Sequence, residues 1–220
     1  MKDALRRWLL VGPVLLYSVI LHEIMHGYMA LVYGDPTALD AGRLTLNPFP
    51  HIDLWGSVLI PTFLILIRSP FFIAWAKPVE VSPALTPFVM MVVAIAGPLT
   101  NLALAVACAG LMRVVSPVLG LGRWARRARF MLAYGVLVNS MLMVFNFLPL
   151  PALDGSKVLA FLAPPLRDAL LHENIYIQFG VLALIMAVPQ VRTWLIAFPT
   201  RVLGGSLLRW ADPSGNWRLS

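Results

Sequence analysis

Residues 8–32 form one long apolar run, yet His22, Glu23 and His26 sit inside it. The run is long enough to cross a hydrocarbon core of about 30 Å at about 1.5 Å per residue. Two imidazoles and a carboxylate at that depth cost several kcal/mol unless something binds them. Their spacing says what that is. In His22-Glu23-Ile24-Met25-His26 the histidines stand at i and i+4, on one face of a helix. Such a pair can grip one Zn²⁺, and the glutamate between them can serve as a general base. The alternative is two helix histidines hydrogen-bonded to neighbours.

Composition agrees with a lipid solvent. Of 220 residues, 60% are hydrophobic and 12% charged, where a soluble domain has about 45–50% and about 25%. Mean hydropathy is +0.81. Too little polar surface remains to cover a water-facing globule. A soluble enzyme, a disordered tail and a disulfide scaffold are excluded, the last because Cys108 is the sole cysteine. The net charge of +7 comes from 17 Lys+Arg against 10 Asp+Glu. These cations lie at the edges of apolar runs, which favours anionic lipid headgroups over nucleic acid as their partner. Lys2, Arg6 and Arg7 precede the first run as in a signal peptide, but its length and its polar cluster argue against cleavage.

Further apolar blocks cover 54–67, 87–115, 130–148, 175–188 and 194–208. Spans need about 17–25 residues. The expectation is therefore an all-α polytopic membrane protein with about 4–6 transmembrane helices and one domain over 1–220. A catalytic core would cover about 8–162, with accessory helices at about 174–210. The block 54–67 is short and broken by Pro61, so a re-entrant or flat course suits it. Residues 37–48 alternate polar and apolar side chains, and residues 71–81 carry aromatic and β-branched ones around Pro78. Both stretches predict short membrane-associated β-strands.

A catalytic zinc needs a third protein ligand and one open position. The best candidate is Asp154, in Asn146-Phe147-Leu148-Pro149-Leu150-Pro151-Ala152-Leu153-Asp154-Gly155. The two prolines break the helix there. By spacing alone, Asp154 reads equally as a turn or N-cap aspartate before a helix over 156–162.

HExxH in the first span, Gly97-Pro98-Leu99-Thr100-Asn101 and the Asn146–Gly155 stretch together resemble the site-2 protease family of intramembrane zinc metalloproteases. Arg43-Leu44-Thr45-Leu46-Asn47-Pro48, His51-Ile52-Asp53 and Ala76-Lys77-Pro78-Val79 resemble its compact bacterial branch without PDZ or CBS domains. The resemblance implies a three-helix core, one Zn²⁺ per chain held by His22, His26 and Asp154, and Glu23 as the catalytic base. It places Asn146 as the oxyanion donor, against an alternative in which its amide caps backbone freed by Pro149. Asn101 is expected beside the site through an interhelical hydrogen bond. His51 is either a cleft or a surface residue, Lys77 is a further candidate for the cleft or the surroundings of the site, and Arg43 or Lys77 is expected near the headgroups. Lys157 stands where arginine is frequent and is expected to leave the metal chemistry alone. His172 reads as solvated, and Cys108 as a small core residue.

The implied activity is hydrolysis of peptide bonds within or near transmembrane segments, in a multi-pass protein of the bacterial cell membrane. A transmembrane substrate must unwind, and the two strand-like stretches could pair with it by β-augmentation. Depth gives a check. If 54–67 does not span, the end of the 130–148 block falls level with the histidines. Orientation is contested: Arg123, Arg126, Arg127 and Arg129 would put the end away from the site in the cytoplasm, while the resemblance places the zinc nearer the cytoplasm. A catalytically inactive relative that escorts membrane helices is the competing reading. A transporter is disfavoured, because no internal symmetry is visible.

Overall fold

The computed structural model describes residues 2–67, 75–118, 120, 122–171, 180, 184 and 187–213. Its helices are α1 (Lys2–Val32), α2 (Thr37–Asp40), α3 (Ile60–Leu66), α4 (Pro87–Val115), α5 (Arg123–Asn146), α6 (Asp154–Leu162), α7 (Arg167–Leu170), α8 (Pro189–Arg192) and α9 (Phe198–Ala211). Three described helices are long and apolar enough to cross a membrane: Leu10–Val32, Pro87–Val115 and Arg123–Asn146.

The pattern on α4 is that of a helix whose solvent is lipid. It buries small residues, Ala94, Gly97, Ala105 and Ala109, and exposes Leu99, Val106, Leu111 and Val114. Small side chains let neighbouring backbones approach, and large ones face hydrocarbon at no cost. Thr86 caps its first turn by accepting from the Val89 N–H, with Pro87 at the first helical position. This central helix touches α1, α5, α6 and α9.

Side-chain pairs set the helix directions. His22 and His26 of α1 meet Asn101 and Val93 of α4, so those two helices are antiparallel. Ser18 of α1 meets Asn139 of α5, and Val14 lies beside Gly135, so α1 and α5 run the same way. The end of α5 therefore arrives at the histidine end of α1, and the chain then turns into α6. At the other end Ala109, Met112, Ala133, Val136, Leu208 and Ala211 form an apolar cluster that fastens α9 to α4 and α5.

Several sequence expectations change. Three candidate spans are found among the described residues, rather than four to six. Residues 54–66 form a wide helical turn over Leu54–Leu59 followed by the seven-residue α3, too short to cross. Helix α9 has 14 residues. Most of 175–188, His172 and residues 68–74 lie outside the described residues. There is no β-strand among the described residues. Residues 37–40 are the short helix α2. The extended stretch 75–79 donates from Trp75 to the Gly56 carbonyl and from Lys77 to the His51 carbonyl, without a ladder.

Arg43 explains why a ladder is not needed. It is 5% exposed, not a headgroup anchor. Its guanidinium donates to the carbonyls of Pro50, Lys77 and Pro78. Asp35 ties the same layer further out, accepting from the Thr37 N–H at 3.0 Å and the Ser82 N–H at 2.7 Å. Burial pushes its carboxyl up, but these backbone donors and the Thr37 hydroxyl outweigh that and hold it below the usual range. His51 is 2% exposed, and its Nε2 donates to the Thr45 carbonyl. Lys77 is exposed and contributes main-chain bonds to this layer.

Candidate metal centre

Three side chains converge where α1, α4 and the start of α6 meet. His22 Nε2 lies 3.0 Å from His26 Nε2. Asp154 Oδ2 lies 3.2 Å from the first and 3.3 Å from the second. All three residues are buried. A tetrahedral ion with bonds of about 2.0–2.1 Å has ligand atoms about 3.3–3.4 Å apart, close to this triangle.

The proton inventory says what the triangle lacks. The His22 Nδ1–H points at Asn101 Oδ1, 2.6 Å away, and the His26 Nδ1–H at the Val93 carbonyl, 2.8 Å away. Each neutral ring has a single N–H, so both Nε2 atoms present lone pairs. Two lone pairs and a carboxylate oxygen then face one another. A divalent cation resolves that arrangement, and carbonyl or amide support behind metal-binding imidazoles is the usual outer shell.

Space is reserved as well. A Cβ on Gly97 would stand 2.4 Å from His26 Nε2 and 2.6 Å from His22 Nε2. Glycine thus leaves a cradle directly against the two ligand atoms. The donor set and this cradle fit Zn²⁺.

Local chain geometry delivers each group. Pro98 has no N–H, so the ladder of α4 is interrupted beside Val93, whose carbonyl serves His26. After α5, Leu153 N–H closes a turn onto the Leu150 carbonyl, and Ala152 takes φ +73°. That conformation is costly for a residue with a Cβ and marks a turn fixed by its surroundings. Gly155 follows at the first turn of α6, where a Cβ would sit 2.3–2.4 Å from the Phe147 and Leu148 carbonyls. The Leu-Asp-Gly motif thus packs α6 onto the end of α5 with Asp154 facing inward.

Glu23 shares this cluster: its carboxylate and the two imidazoles offer ligand atoms within 4.8 Å of one another. Its Oε2 accepts the Val79 N–H at 2.8 Å, so the extended stretch after Pro78 crosses over the site. Lys157 Nζ lies 3.3 Å from Asp154 Oδ1, leaving Oδ2 to the histidines. Lys157 therefore contacts the outer oxygen of Asp154, a contact the sequence did not indicate. Asn101 is fully buried and touches His22. Asn146 Nδ2 donates to the Leu142 carbonyl of its own helix at 3.0 Å. His51 and Lys77 stand in the layer tied by Arg43, joined to each other through the backbone.

Asn139 and Ser18 escaped the sequence reading. Asn139 is 1% exposed and receives the Asn101 side-chain N–H at 2.9 Å. It donates in turn to Ser18 Oγ and the Gly135 carbonyl, each at 2.9 Å. A lone asparagine on an apolar helix has no motif around it. The signal available was its cost at membrane depth.

No family model matches the chain, and no solved structure matches it. Curated relatives do, and three of them are as follows. "Putative zinc metalloprotease YwhC" of Bacillus subtilis is 36% identical over 160 residues, 69% of this chain and 68% of the relative. "Putative zinc metalloprotease Rip2" of Mycolicibacterium smegmatis is 28% identical over 180 residues, 81% and 67% of the two chains. "Putative zinc metalloprotease MJ0611" of Methanocaldococcus jannaschii is 34% identical over 141 residues, 64% and 63%. With its donor triad already fitted to zinc, the chain belongs to the zinc metalloprotease family that YwhC represents.

Proposed function

We infer that this protein is an intramembrane zinc endopeptidase of the site-2 type, hydrolysing peptide bonds within or near transmembrane segments of other membrane proteins. One observation carries the reading. The two Nε2 atoms and Asp154 Oδ2 converge between helices that are long and apolar enough to span a bilayer. His22, His26 and Asp154 would hold one Zn²⁺ per chain. A bound zinc would supply a Lewis acid and a water acidified to a pKa of about 7.

The residues of the chain do the rest. Glu23 takes the proton of the attacking water and later gives it to the leaving amine. Its contact with the Val79 N–H fixes the carboxylate beside the histidines. Asn146, at the end of α5, is the proposed oxyanion donor and would exchange its Leu142 bond for the substrate. The small residues buried on α4 let the helices pack closely around the histidines.

The substrate is a membrane helix that has unwound locally. Its bared backbone needs partners at once in lipid. The extended stretch 75–79 and the turns around His51 are the backbone nearest Glu23 that could supply them. Spans with Gly, Pro or Asn near the cut are therefore preferred. The protein works as a multi-pass component of the cell membrane.

Glu23→Gln tests the reading. The glutamine leaves the three proposed ligands in place and removes the base. Cleavage of a reconstituted transmembrane substrate is expected to fall about 10²–10⁴-fold with zinc content unchanged. Undiminished function in the variant contradicts a protease and leaves the escort reading.

A further inference from the structure

Behind His22 runs a chain of hydrogen bonds that joins all three long helices, and its direction is fixed. Asn101 Nδ2 is identified as the amide nitrogen because it also reaches the Ser18 carbonyl, 3.3 Å away, which can only accept. Asn139 Nδ2 is identified in the same way by the Gly135 carbonyl at 2.9 Å. Asn101 must therefore present Oδ1 to His22, and Asn139 must present Oδ1 to Asn101. Ser18 accepts from Asn139 and passes its own proton to the Val14 carbonyl at 2.7 Å. Every donor points away from the metal centre, and Asn101, Asn139 and Ser18 are each no more than 4% exposed.

We propose that Asn139 and Ser18 are positioning residues that hold His22 in the tautomer whose Nε2 lone pair faces His26 and Asp154. An amide turned the other way at Asn101 would put its NH₂ against His22 Nδ1. The ring proton would then move to Nε2 and block the ligand atom. Neither Asn139 nor Ser18 touches the metal; they act through Asn101. The relay also makes the metal site depend on the docking of α5, since Asn139 is the side chain through which that helix joins it. This inference rests on the metal-centre reading above.

The test uses the full chain in detergent, with zinc affinity measured by competition against a chromogenic chelator and the His22 tautomer read by ¹⁵N NMR of the metal-free protein. Wild type is expected to bind zinc and to show the Nδ1–H form. Asn139→Ala is expected to weaken zinc by up to about 10-fold, the low end of the loss for a group bonded directly to a ligand, and to populate the Nε2–H form. Ser18→Ala is expected to shift both readouts the same way by less, and it carries the test should Asn139→Ala fail to fold. Ser140→Ala is the control: Ser140 is fully buried next to Asn139, and its Oγ makes no hydrogen bond among the described residues. Its affinity and the His22 tautomer should match wild type. Wild-type affinity and tautomer in Asn139→Ala and Ser18→Ala overturn the proposal, as does an equal loss in Ser140→Ala. Absence of zinc binding in wild type, with the Nδ1–H form intact, instead overturns the metal-centre reading.

Discussion

The two ends of the long helices are built on opposite principles. At one end Asn101 and the Val93 carbonyl bond the histidines, Asn139 and Ser18 stand behind Asn101, and nearly every polar atom there is spoken for. At the other end Ala109, Met112, Ala133, Val136, Leu208 and Ala211 form an apolar cluster, with Arg113 and Arg129 donating to main-chain carbonyls at its margin. Lipid supplies no hydrophobic drive between helices. The core of the apolar end holds by close packing, with the Arg113 bond to the Trp210 carbonyl beside it. The polar end spends its packing on placing three ligand atoms, and a cation is needed to complete it. Stability and chemistry are thus separated along one helix, α4, and substitutions at the two ends should fail differently.

Gly97→Ala is the strongest way to break the contrast. The added methyl would occupy the cradle at 2.4–2.6 Å from both Nε2 atoms. Zinc binding and proteolysis should both disappear, while the helices still assemble. Gly110→Ala, on the same helix with nothing within 4 Å of the added Cβ, should do neither. Metal analysis of the two purified variants decides it.

Met112→Ala attacks the apolar end. Met112 is fully buried there. A membrane keeps the cavity cost of such a change but not the transfer from water, so the loss should be about 1–3 kcal/mol. Detergent unfolding should move by that amount, with zinc affinity of the folded fraction unchanged. A drop in affinity would show that the two ends are not independent.

The smallest effect lies in the layer over the site. Asp35→Ala removes the acceptor for the Thr37 and Ser82 amides, at about 1–2 kcal/mol. In wild type the Asp35 carboxyl is held below its ordinary value, so its stabilisation is complete above the unfolded value of about 3.9 and is lost as pH falls through the lower folded one. Protection of the Thr37 and Ser82 amides, taken relative to the intrinsic exchange rate at each pH, should therefore be high at neutral pH and fall only in acid. In Asp35→Ala that protection should be low at every pH.

The sequence made the HExxH helix legible because three polar groups in an apolar run admit few explanations. The long helices α1, α4 and α5 were legible because length and hydropathy alone define them. Asp154 needed more than its spacing, since an aspartate before a helix is ordinary. Its inward aim depends on the Ala152 turn and on Gly155 lying against α5, which are tertiary facts. The strand expectation failed at 37–48, where alternation was read as a ladder, and over the described part of 71–81, where aromatic and β-branched residues were. There the backbone is satisfied instead by the side chains of Arg43, Asp35 and Glu23. The same contacts put Arg43 inside the protein, where its charge alone pointed to the surface. Asn139 was silent because its partners lie 38 and 121 positions away.

X-ray absorption at the zinc edge, on the full chain purified without added chelator, tests the central claim most directly. The account predicts one zinc per chain, with two imidazole nitrogens and a carboxylate oxygen at about 2.0–2.2 Å, and loss of that signature in His22→Ala and Asp154→Ala. Absence of stoichiometric zinc in the wild-type protein, or an unchanged spectrum in Asp154→Ala, would contradict it.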